Sequence, residues 1–216
     1  MSEKLTEVEA RIVGALIEKQ LTTPEYYPLT LNALVAACNQ KTNREPVVAY
    51  PEETVTTALE NLREKNIVYV FYGSTSRVAK YKHLLPQVFE LDERETAVMC
   101  VLMLRGAQTL GELRERTNRL YEFSGLGEVN ETLDGLIRRE KPLVAKLERQ
   151  PGQKEVRFAH LLSGEVLAQS ANVPTANLIS NNQMEQIEKL EREIEALRGE
   201  LNDFRQMFED FRKQFE

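Results

Sequence analysis

The sequence predicts an α+β fold, mainly helical with small β-hairpins, in which one helix-rich unit occurs twice and a long helix follows. Three observations carry this. Helix-start signatures recur 86 residues apart, the pentad aromatic-x-His-Leu-Leu recurs 77 residues apart, and the last 35 residues hold a heptad seam.

The first helix is expected over LTEVEARIVGALIEKQ, where Leu5, Val8, Ile12, Val13, Leu16 and Ile17 fall at helical spacing. Thr6 and Glu9 form a capping box, and Asp92 and Glu95 repeat it before AVMCVLML. A second helix starts at Thr30 in TLNALVAAC and again at Thr109 in TLGELRERT. A third carries Val55, Leu59 and Leu62, then Val129, Leu133 and Leu136 in the second copy. Pro51 suits the start of that helix, with Glu52 and Glu53 at its positive end.

After each third helix the period changes from helix to strand. IVYVFYGSTSRVAKYKHLL reads as a strand, a Gly-Ser turn and a return strand, and LVAKLERQPGQKEVRFAHLL does the same around Pro151-Gly152. Three helices and a hairpin are the layout of a winged helix. The expected organisation is a first winged-helix domain over 1–88, a second over 89–165, a linker over 166–181 and a coiled-coil helix over 182–216. On the return strands Ala79, Tyr81 and His83 share one face, as do Val156, Phe158 and His160. The two histidines therefore read as core residues, each packed in its wing and bonded to a backbone group.

In the tail, Ile187, Leu190, Ile194, Leu197, Leu201, Phe204, Phe208, Phe211 and Phe215 alternate steps of three and four. Ile at a and Leu at d favour two parallel strands, and Glu193 and Glu200 at g oppose Arg198 and Arg205 at e. A parallel homodimer through this seam is expected.

The formal net charge is −6, with ten acids against six bases in 182–216. No apolar run is long enough to span a membrane, and the acidic start MSEKLTEVEA lacks the build of a signal peptide, so a cytoplasmic protein is expected. Cys38 and Cys100 lie in apolar helical patterns and read as buried thiols. The chain has no P-loop, no G-x-G-x-x-G after a strand, no H-E-x-x-H and no G-x-S-x-G. No catalytic residue, metal or cofactor is expected.

The runs EARIVGALIEKQLTTPEYYPLTLNALVAACNQKTNREPV, LRGAQTLGELRERTNRLYEF and PGQKEVRFAHLLSGEV resemble the YceH family of uncharacterised bacterial proteins, over about residues 5 to 167. The resemblance implies a cytoplasmic protein with two tandem winged helices and implies no biochemical activity.

A third helix that enters the major groove needs basic or amide side chains. Both third helices instead carry a net −2, over 51–65 and 126–140. The wings each carry +3, over 67–82 and 141–157. Candidate nucleic-acid contacts are Lys41 and Arg44 in the turn NQKTNREP, Arg77, Lys80 and Lys82 in the first wing, and Lys146, Arg149, Lys154 and Arg157 in the second. The function these features predict is that of a homodimeric DNA-binding protein or transcriptional regulator that contacts duplex DNA through basic wings and loops. The alternative is a protein-interaction scaffold that uses the acidic third helices and the coiled coil.

Overall fold

The computed structural model describes residues 4–72, 78–149 and 155–164, all of them in one compact unit. The expected linker and the zipper seam from Ile187 to Phe215 lie outside the described residues.

The mixed α+β prediction holds over the described part. α1 (Glu7–Thr22) is followed by a 3-10 turn at Pro24–Tyr26, β1 (Leu29–Thr30), α2 (Leu31–Cys38), α3 (Glu52–Glu64) and the hairpin of β2 (Val68–Tyr72) and β3 (Ala79–His83). α4 (Leu85–Phe89) then leads to α5 (Glu93–Arg105), β4 (Gln108–Thr109), α6 (Leu110–Thr117), α7 (Leu126–Ile137), β5 (Val144–Lys146) and β6 (Arg157–His160). Setting α4 and the 3-10 turn aside, the same succession of elements occurs twice. Both sheets are antiparallel, with strand order β1-β3-β2 in one and β4-β6-β5 in the other.

The starts of the helices follow the local chemistry. Thr6 and Glu9 make the reciprocal capping box, as do Asp92 and Glu95, and Thr109 with Glu112 makes a third. Thr30 caps α2. The apolar stripe of α3 (Val55, Leu59, Leu62) and that of α7 (Val129, Leu133, Leu136) are buried throughout.

The two copies share one continuous core. α1 and α5 meet at its centre, where Gly14 lies against Leu104 and Met103. The Cys100 thiol donates to the Gly14 carbonyl at 3.4 Å and also faces the backbone of Glu18. Cys100 and Leu104 hold the positions in α5 that Gly14 and Glu18 hold in α1, 86 residues earlier. The contact of residue 14 with residue 104 is therefore repeated by residue 18 with residue 100. That reciprocity is the pattern of two antiparallel helices crossing at an internal two-fold, as across an isologous interface.

Candidate nucleic-acid interface

In the first sheet Tyr69 lies opposite Lys82, Val70 opposite Tyr81 and Phe71 opposite Lys80, while β1 adds Thr30 beside Lys80. Side chains alternate along a strand, so Tyr69, Phe71, Lys80, Lys82 and Thr30 share one face. Val68, Val70, Tyr81, His83 and Leu29 share the other, which packs on the helices. The first face is the open one: Tyr69 is 53% and Phe71 43% exposed. Lys82 Nζ stands 5.4 Å from the centre of the Tyr69 ring, a cation–π contact.

The second sheet differs at the matching positions. Ala145 and Ala159 face each other there, followed by Leu147 and Arg157. Arg157 is held by Glu112 at 2.9 Å and by the Ala107 carbonyl at 2.8 Å, so its charge is neutralised within the fold. Lys146 and Arg149 remain exposed, as does Lys41 in the α2–α3 loop. Arg77 and Lys154 lie outside the described residues.

Arg44 must be withdrawn from the expected contacts. Its guanidinium is buried, donating to Glu18 at 2.6 Å, twice to the Ala37 carbonyl, to Asn43 and to Gln40. Glu18 also accepts from Arg119 of the second copy at 3.1 Å. One buried carboxylate thus gathers the α2–α3 loop of one copy and the α6–α7 loop of the other. The loop is held further by Arg105, which donates to Asn43 at 2.6 Å, and by the Glu45 amide, which donates to the Leu104 carbonyl at 2.9 Å. Nothing local in NQKTNREP distinguishes Arg44 from Lys41, because its partner lies 26 residues upstream.

The third helices are less basic at the surface than their composition indicates. Lys65 is drawn inward to Glu9 at 2.8 Å, and Arg139 to Glu95 at 2.7 Å. Glu52, Glu53, Glu60 and Glu64 of α3 stay exposed beside Arg63.

His83 is buried and His160 half-buried, and burial pushes both imidazoles down to about 4. The expected ring-to-backbone bond is absent at His83: neither ring nitrogen has a partner among the described residues, while its backbone N–H donates to the Tyr27 hydroxyl at 2.8 Å. Cys38 and Cys100 are buried free thiols. Burial pushes Cys38 up to about 12 and raises Cys100 as well, so neither is poised as a nucleophile.

A family model described as "Protein of unknown function, DUF480" matches residues 5–153. A UPF0502 protein of Opitutus terrae is 56% identical over 168 residues, covering 77% of this chain and 73% of its own. A UPF0502 protein of Geobacter sulfurreducens is 47% identical over 193 residues, covering 88% of each chain.

Proposed function

The chain belongs to the DUF480 family of bacterial proteins, and for it we propose a non-enzymatic, homodimeric DNA-binding protein of the kind that regulates transcription. Each copy of the repeated unit is read as a winged helix, supported by the order of its elements and by the matching strand orders of the two sheets. The observation that carries the reading is the open face of the first wing, where Lys80 and Lys82 stand without a carboxylate partner among the described residues. Lys41, Lys146 and Arg149 extend the basic surface to a loop and to the second wing.

The exposed acids of α3 oppose insertion of that helix into a groove, since affinity for phosphate rests on cations and counterion release. Contact through wings and loops avoids this repulsion. The heptad seam at 182–216 would join two chains and present the wings twice.

The test is fluorescence anisotropy of a labelled duplex across a salt series, with the full chain. Binding should fall steeply with salt, and Lys80→Ala with Lys82→Ala should lower the log–log slope by about 1.8. Absence of duplex binding at low salt would overturn the reading. A second reading, a protein-interaction scaffold, is favoured by the acidic surface of α3 and by the inward turn of Lys65 and Arg139. It predicts a stoichiometric protein partner that survives nuclease treatment.

A further inference from the structure

We propose that the open face of the first sheet is a binding surface for single-stranded DNA, with unpaired bases stacked on Tyr69 and Phe71 and the backbone held by Lys80 and Lys82. The choice of DNA rests on the DNA-binding reading above; the choice of a single strand rests on the surface itself.

Two aromatic side chains on one face of a strand, two residues apart, stand roughly 7 Å from each other. Each has a lysine directly across the ladder: Lys82 beside Tyr69 and Lys80 beside Phe71. Among the described residues of the sheet, no acidic residue occupies this face, and Thr30 completes the row beyond Lys80. Rings interleaved with cations are what sequence-tolerant single-strand binding uses, because every unpaired base offers a π-face and every link a phosphate. Bases inside a duplex are stacked on one another and do not offer those faces.

The second copy shows that the fold does not require the rings. At the register of Tyr69, Phe71, Lys80 and Lys82 it carries Ala145, Leu147, Arg157 and Ala159, and its one cation is tied to Glu112. At these four positions the same strand order is built without exposed aromatics or an unpaired cation. The first copy therefore exposes Tyr69 and Phe71 for a reason outside folding, and the lysines beside them give the partner's charge.

The test uses the full-length protein and a fluorescein-labelled oligothymidine, compared by anisotropy at low salt with a duplex of equal length. The single strand should bind at least tenfold more tightly. Tyr69→Ala with Phe71→Leu installs the second copy's own residues, so the fold should survive, as far-UV circular dichroism would verify. This variant should weaken oligothymidine binding by about tenfold or more, whereas Tyr69→Phe should retain it. Lys80→Ala with Lys82→Ala should reduce the salt slope by about 1.4, the single-strand value for two phosphates. The chain has no tryptophan, so quenching of tyrosine emission on binding, reduced in Tyr69→Phe, reports the stacking directly. Wild-type affinity in the folded double variant would overturn the proposal, as would tighter binding of oligouridine or of the duplex. Duplex binding without single-strand binding would sink this surface and leave the DNA-binding reading standing; binding of neither would remove both.

Discussion

The ammonium of Lys65, at the end of α3, lies 2.8 Å from the carboxylate of Glu9, whose side chain is wholly shielded from solvent. Glu9 is the capping-box residue of α1, and it accepts from the Thr6 amide as well. The second copy repeats the arrangement with Arg139 and Glu95. Helix start and third helix are thereby locked together in both.

Removing the cation should be costly because the carboxylate stays buried. Lys65→Met is expected to lower stability by about 3 kcal/mol, and adding Glu9→Gln should restore part of the loss. Arg94→Ala, which breaks a solvent-screened pair with Asp92, should cost far less than the loss of Lys65. Urea denaturation of the three variants checks the contrast.

At the helix crossing, a Cβ on Gly14 would stand 2.9 Å from the Leu104 side chain and 3.3 Å from Met103. Gly14→Val should therefore destabilise by on the order of 3 kcal/mol through overpacking. Gly14→Ala should cost less, since alanine returns about 1 kcal/mol of helix propensity. Leu104→Ala in the same chain should show coupling with Gly14→Ala in a double-mutant cycle. Because one core serves both copies, residues 4–164 should unfold in a single transition, and chevron or equilibrium curves with two steps would contradict that.

Much of this was legible in the sequence because it is local. A capping box needs four consecutive residues, so Thr6/Glu9 and Asp92/Glu95 could be read directly. The stripes on α3 and α7 and the faces of the return strands follow from periodicity alone. The two-residue strands β1 and β4 were not readable, because two residues carry no period and exist only through pairing with β3 and β6. The five-residue α4 is equally silent. At the candidate site, composition marked the two hairpin segments as basic but not the fate of each cation. Arg44 and Arg157 find carboxylates that are distant in sequence, while Lys80 and Lys82 find none among the described residues. The exposure of Phe71, beside Val70 in an apolar run, required the register to be known.

The burial of Arg44 gives a prediction that separates folding from binding. Arg44→Ala leaves Glu18 with the half-exposed Arg119 as its one cation among the described residues and frees the Ala37 carbonyl, so stability should fall by about 3 kcal/mol. The salt slope of DNA binding should be unchanged wherever the variant is folded. Lys82→Ala should do the reverse, changing the slope with little effect on stability. Paired melting and anisotropy measurements on both variants decide this.

His83 predicts how stability changes with pH. Its folded value is about 4, set by burial, against about 6.5 in an unfolded chain. Between those limits the unfolded state binds a proton that the folded state does not, so stability rises with pH across this window. It is complete above about 6.5 and is lost as the pH falls toward 4. From pH 7.5 to 5.0 the loss from this one group should be about 2 kcal/mol. His160, less buried by its surface exposure, should add to it in the same direction. Glu112 and Glu128, whose values are lowered by hydrogen bonds and neighbouring arginines, act only below the ordinary carboxylate range and do not confuse the window. His83→Phe keeps the ring volume and leaves the backbone bond to Tyr27 intact, while removing the proton site. The difference between urea midpoints at the two pH values should therefore shrink in that variant to the share left by His160; an undiminished difference would show that the His83 imidazole is not a titrating group.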